Sequence, residues 1–129
     1  MSNEIQVSIS LTCRNGDLYI PPLGVPQTID QTNKGGGLPG YLVVGTAEED
    51  VTLTDLTKPG YMFIKNMGSR GTGTGTPTVT YGPKSETMVA FGELGVGEEA
   101  CLRLVGTSPT LTLKSSEANT GVQIVVLED

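Results

Sequence analysis

Ile5-Gln6-Val7-Ser8-Ile9-Ser10-Leu11-Thr12-Cys13 sets an apolar residue at every second position and a small polar one between. A period of two sends the branched side chains to one face of an extended chain and the hydroxyls to the other. The stretch is therefore expected to be a β-strand lying between a core and water. Arg14-Asn15-Gly16-Asp17 follows as a turn, because Asn-Gly tolerates the positive φ that reverses a hairpin. Leu18-Tyr19-Ile20 opens a second strand, and Pro21-Pro22 limits it to an edge or a crossing loop, since proline cannot donate to a ladder.

The same texture continues outward. Residues 25–32 are extended but weakly patterned, and Asn33-Lys34-Gly35-Gly36-Gly37-Leu38-Pro39-Gly40 reads as a flexible segment. It is either a hinge or the linker joining an N-terminal arm, residues 1–40, to the body. Tyr41–Thr46 and Asp50–Thr54 are expected as a hairpin around the acidic turn Ala47-Glu48-Glu49. Tyr61–Asn66 is a compact apolar strand entered through Lys58-Pro59-Gly60, and Met67–Pro77 is a loop. Val79–Tyr81, Met88–Phe91, Ala100–Leu104, Thr110–Lys114 and Gly121–Leu127 supply further strands. Gly82-Pro83, Gly95-Val96-Gly97, Ser108-Pro109 and Asn119-Thr120-Gly121 punctuate them. No helical stripe competes. The expectation is all-β, a single antiparallel β-sandwich or jelly roll of about 8–10 short strands over residues 1–129.

At 129 residues the chain supports one core, and with 36% apolar and 5% aromatic residues that core must be built from Val, Ile and Leu. So thin a core predicts a homo-oligomer in which neighbours add burial. Tyr61 and Phe63, two apart on one strand, are expected to join Phe91 inside. The net charge of −6 and the scattered bases Arg14, Lys34, Lys58, Lys65, Arg70, Lys84, Arg103 and Lys114 argue against a nucleic-acid partner. Glu48-Glu49-Asp50, Glu98-Glu99 and Glu128-Asp129 read as solvated surface, without the Asp-x-Asp-x-Asp-Gly order of a calcium loop. Met1-Ser-Asn-Glu has neither the basic nor the apolar region of a secretory signal, and no apolar run is long enough to span a membrane. Cys13 continues the in-facing phase of its strand, whereas Cys101 opposes the phase of Ala100, Leu102 and Leu104, so the two are expected as reduced thiols.

Chemistry-bearing residues are sparse. The chain has no histidine, which removes the usual neutral-pH base and the commonest transition-metal ligand. Gly71-Thr72-Gly73-Thr74-Gly75-Thr76 lacks the Gly-Lys-Ser/Thr ending of a phosphate loop and runs into strand-like Pro77-Thr78-Val79-Thr80. Glu86, Glu93, Glu98, Glu99 and Glu117 could form acid pairs, but no tryptophan offers a sugar platform. No catalytic residue, metal ligand or cofactor is expected. The candidate surface for a partner is instead Ile5, Val7, Ile9 and Leu11 of the first strand. To it are added the glycine-rich segments Gly35, Gly36 and Gly37, and Arg70, Gly71, Thr72, Gly73, Thr74 and Gly75.

One resemblance adds to this. Asp55-Leu-Thr-Lys-Pro-Gly-Tyr-Met-Phe-Ile-Lys-Asn66 leads through Val79-Thr-Tyr-Gly-Pro83 and Met88-Val-Ala-Phe-Gly-Glu-Leu94. Glu98-Glu-Ala-Cys-Leu-Arg-Leu104 and Val122-Gln-Ile-Val-Val-Leu-Glu-Asp129 complete the succession. It resembles small virion structural proteins of tailed bacteriophages, over residues 55–129. Their pattern is a G-Y-[MLI]-F-[IV]-x-N strand, a Y-G-P turn and a G-x-x-A-x-L-x-L strand; residues 1–54 carry no such likeness. The resemblance implies a β-sandwich on the phage head, a capsid decoration (cement) protein that ties coat subunits together. It implies a trimer, the major capsid protein as partner, and a virion location after synthesis in the host cytoplasm. A tail, fibre or baseplate component with a receptor-binding role, and a non-viral carbohydrate- or protein-binding module, stand as the other readings.

Overall fold

A computed structural model describes residues 5–24, 26–29, 36–51, 53, 58–70, 75–84, 86–104 and 110–128. The chain forms two compact units, Met1–Lys34 and Gly35–Asp129.

The first unit holds β1 (Ile5–Val7), β2 (Leu11–Asn15), β3 (Leu18–Leu23) and β4 (Gln27–Ile29). They form two separate antiparallel ribbons: β1 with β4, Ile5 opposite Ile29, and β2 with β3, Cys13 opposite Ile20. The long strand expected over residues 5–13 is therefore cut at Ser8–Ser10. Its two pieces take different partners, and the register slips again between Leu11 and Cys13, so the alternation does not lie on one face. Gly24, at φ +115°, sits where a side chain would strike the Ile9 carbonyl, a close approach that only glycine allows. The turn after β2 is as expected, with Gly16 at φ +56° ahead of Asp17. Strand β3 runs straight through Pro21-Pro22, as a two-stranded ribbon permits, since each strand is an edge.

The second unit contains β5 (Gly36–Val44), β6 (Glu49–Val51), β7 (Pro59–Ser69), β8 (Val79–Pro83), β9 (Gly92–Leu94), β10 (Glu99–Arg103), β11 (Leu111–Ser115) and β12 (Thr120–Glu128). One sheet runs β10-β7-β12-β5 and the other β6-β11-β8-β9. Every pairing is antiparallel. The unit's first strand pairs with its last, the second with the seventh, the third with the sixth and the fourth with the fifth. The chain thus travels out and back as one ribbon, and the β7–β12 and β8–β11 pairings wrap that ribbon into an eight-stranded jelly roll. The fold class is an antiparallel β-sandwich with no helix among the described residues.

Side chains from both sheets meet between them: Val44, Met62, Ile64, Val122, Ile124 and Val126 from the first, Val51, Val79, Leu94, Leu111 and Leu113 from the second. Leu53 joins them. Burial of each aliphatic side chain stabilises by about 1.5–3 kcal/mol. Asn66 is a polar pin in this core. Fully buried on β7, its Nδ2 donates to the Pro77 and Leu94 carbonyls, both at 2.9 Å, and its Oδ1 accepts from the Gly68 amide at 2.9 Å.

Four expectations change here. Gly36 to Gly40 are not a loop but the start of β5, whose edge position accommodates Pro39 opposite Val125. The hairpin expected from Tyr41 onward is not formed over residues 41–51, because β5 and β6 belong to opposite sheets and the bend between them crosses the sandwich; Thr52 and Thr54 lie outside the described residues. Met88–Phe91 is not a strand; Met88 makes only an isolated bridge to Lys84, and β9 begins at Gly92. Finally, Tyr61 and Phe63 share a face, but it is the outer one. Both phases of β7 are apolar, and the sandwich turns Met62 and Ile64 inward while Phe91 is 82% exposed.

Candidate interaction surfaces

Strand parity settles what the two outer faces carry. On the second sheet the core residues Val79, Leu111 and Leu113 set the inward phase. Asp50, Thr80, Glu93, Thr112 and Lys114 therefore point outward, giving a polar outer face on which all but Thr112 reach solvent. On the first sheet the inward phase is Met62, Ile64 and Asn66, so Tyr61, Phe63, Lys65 and Met67 of β7 face out. They stand beside Tyr41 and Val43 of β5, Gln123 and Val125 of β12, and Cys101 and Arg103 of β10. This face is aromatic and apolar. Tyr41, Val43 and Met67 are exposed at one end of it. The Tyr41 hydroxyl lies across Gly121, in the space a side chain there would fill.

All three arginines of the chain stack on tyrosines. Arg14 lies 5.6 Å from the Tyr19 ring centre, Arg70 5.4 Å from Tyr41 and Arg103 5.5 Å from Tyr61. The first and third pairs are directly opposite cross-strand neighbours. Stacking holds each guanidinium plane over a ring while its N–H groups can still reach a carboxylate at the rim. Arg70 is further held by its backbone amide donating to the Asn119 carbonyl at 2.7 Å.

A second projection lies across the outer face of the other sheet. The segment from Lys84 to Phe91 joins β8 to β9, and a side chain at Gly82 would strike the Val89 carbonyl. Gly82 stands in the outward phase, opposite Thr112, so the segment crosses that face and buries Thr112 beneath it. Its backbone is tied down, Val89 N to Pro83 O at 2.8 Å and Phe91 N to Tyr81 O at 2.9 Å. The Lys84 ammonium meets Asp50 at 3.2 Å, and the Met88 amide donates to Glu48 at 3.1 Å. Val89 and Phe91 are 58% and 82% exposed on this anchored segment, with Glu86 and Glu93 exposed beside them.

Of the residues expected at a partner surface, Ile5 is buried, Val7 half-buried, and Ile9 and Leu11 exposed, all in the first unit. Leu18, Tyr19 and Leu23, which the sequence reading passed over, are exposed in the same unit. Gly36 and Gly37 are strand residues of β5. Arg70 sits at the end of β7 beside Tyr41, and Gly75 abuts the Glu117 carboxylate. Gly35 and Gly71, Thr72, Gly73 and Thr74 lie outside the described residues. The Tyr41–Val43–Met67 patch and the Val89–Phe91 segment were also missed. The outer-phase run Tyr61-Phe63-Lys65-Met67 was the available signal for the patch, and the polar, turn-rich flanks of Val89 and Phe91 for the segment.

Among the described residues no group of three His, Cys, Asp or Glu side chains converges to hold a metal ion. Cys13 and Cys101 are free thiols, each half-buried, and burial raises the pKa of Cys101 above the ordinary thiol value. Tyr81 turns inward against the core, across Gly92.

No protein family matches the sequence, and no curated protein does at a significant level. One solved structure is similar, the carbohydrate-binding module CBM6cm-2 from Cellvibrio mixtus lichenase 5A in complex with cellotriose. It shares 10% identity over 98% of this chain and 91% of its own, with a TM-score of 0.36. At that score nothing about its ligand carries over to this chain.

Proposed function

We propose that this protein is a non-enzymatic structural component of a tailed-bacteriophage virion, a decoration protein that binds the assembled head and bridges coat subunits. The observation that carries the reading is the surface of the first unit. Two-stranded ribbons are marginal in water without a further surface to pack on, yet these present Ile9, Leu11, Leu18, Tyr19 and Leu23 to solvent at 51–63% exposure. Such ribbons suit burial on a protein lattice, where main-chain edges and apolar side chains supply the contact and no reactive group is needed. The likeness of residues 55–129 to phage virion proteins supplies the lattice, the coat protein as partner and the trimeric state. A tail or baseplate location would use the same surfaces at lower copy number. A carbohydrate-binding module would need Tyr61 or Tyr81 on an open face with convergent polar groups, and Tyr81 packs inward.

Co-sedimentation with purified phage heads from the same source tests this. The full chain is expected to pellet and to saturate at a fixed ratio to coat protein, whereas residues 35–129 alone stay in the supernatant. A full chain that never pellets with heads contradicts the proposal.

A further inference from the structure

We infer that the jelly roll self-associates head to tail, the Val89–Phe91 segment of one copy docking on the Tyr41–Val43–Met67 patch of the next. The two surfaces stand on opposite outer faces of one sandwich. The segment crosses the β6-β11-β8-β9 sheet over Gly82 and Thr112, and the patch lies on the β10-β7-β12-β5 sheet around Gly121. Contacts between two different patches are heterologous, and they close into rings when the rotation between copies allows it. A trimer is one such ring.

Three features make a second copy the occupant. Shape comes first: Phe91, at 82% exposure, is the most exposed large apolar side chain among the described residues, and its amide is fixed to the Tyr81 carbonyl. It is an anchor already held in place, and such aromatic anchors dominate binding energy at interfaces. The patch offers apolar surface of the complementary kind, Tyr41 at 46%, Val43 at 40% and Met67 at 48% exposure.

Charge decides the orientation. Glu86 and Glu93 flank the anchor; of the two lysines on this face, Lys84 is engaged by Asp50, and Lys114 stands one strand further off, across Thr80 from Glu93. The patch is rimmed mainly by the opposite sign: Arg70 stacks on Tyr41, and Lys65 stands across Gln123 from it, with Glu99 opposite Lys65 on the far side. On a chain of net charge −6, these bases mark the end of the sheet that attracts an acidic surface. The chain displays both halves of this complement, apolar with acid and apolar with base.

The inference deepens the homo-oligomer of the proposed function but is tested on the protein alone, so failure here leaves the head-binding experiment to stand or fall separately. Analytical ultracentrifugation of the full chain should show a concentration-dependent oligomer. Phe91→Ser removes the anchor without touching the core and should weaken association about 30-fold, the loss typical of a central aromatic contact. Arg70→Glu should weaken it too, and adding Glu86→Arg and Glu93→Arg should restore it. Circular dichroism should show each variant folded. A wild-type chain that stays monomeric at its highest soluble concentration overturns the inference. So does an oligomer whose mass and affinity are indifferent to Phe91→Ser.

Discussion

Replacing Asn66 by alanine should cost the jelly roll a large share of its stability. The side chain is wholly buried and makes three hydrogen bonds, two donated to the Pro77 and Leu94 carbonyls and one accepted from the Gly68 amide. Those partners lie on the approach to β8, in β9 and in β7, so one amide ties the two sheets together. Alanine strands two carbonyls and one N–H inside the protein. Each buried group left without a partner costs about 1–3 kcal/mol, and a water admitted to the vacated space returns part of it. The net expectation is a loss of about 3–5 kcal/mol. With a urea slope of about 1–3 kcal/mol per molar, the unfolding midpoint should fall by roughly 2 M.

Asn66→Asp sharpens the test. The aspartate keeps the volume and the bond from Gly68 but sets carboxylate oxygens against two carbonyls. Its folded pKa must therefore rise above the unfolded value of about 3.9. A raised folded pKa gives stability that is full below the unfolded pKa and lost as pH climbs through the folded one. The gap between Asn66→Asp and wild type should thus widen from acid to neutral pH, while the gap for Asn66→Ala stays flat. Urea titrations followed by circular dichroism at two pH values measure both. An alanine variant within about 1 kcal/mol of wild type would refute the pin.

Four further outcomes are expected. Gly82→Ala pushes a methyl into the Val89 carbonyl and Phe91 amide, so it should cost about 1–3 kcal/mol and speed hydrogen exchange at Val89 and Phe91. Gly45→Ala meets nothing within 4 Å and should change stability by no more than about 0.5 kcal/mol in the same titration. Cys101 should react with iodoacetamide only at higher pH than it does in urea-unfolded protein, because burial raises its pKa and the thiolate is the reactive form. Identical pH–rate profiles by mass spectrometry would contradict that. Residues 35–129 should fold alone with a strand-rich circular dichroism spectrum, since every member of the core cluster lies within them; a random-coil spectrum would refute the division into units.

The all-β class was legible wherever apolar and polar residues alternate between turn signals. Pro59–Ser69, Val79–Pro83, Glu99–Arg103, Leu111–Ser115 and Thr120–Glu128 all contain or overlap expected strands. Period two reveals phase without saying which phase points inward. For β7, Tyr61 and Phe63 compete with Met62 and Ile64, and only the opposing sheet decides between them. Alternation also says nothing about partners. Ile5–Cys13 keeps its period while its halves join different ribbons, and residues 41–51, expected to turn back on themselves, cross from one sheet to the other. Glycine and proline misled in the other direction: Gly36–Gly40 looks like a linker, yet an edge strand paired on one side accepts both. The surface patches were hidden for a related reason. Tyr41 and Val43 come from β5 and Met67 from β7, and only the register of both strands on β12 sets them together.

The copy number of this chain in purified virions, counted against the major capsid protein by quantitative mass spectrometry, tests the central claim most directly. A decoration protein is expected at hundreds of copies per particle in a fixed ratio to the coat. A handful of copies, or none, would contradict it.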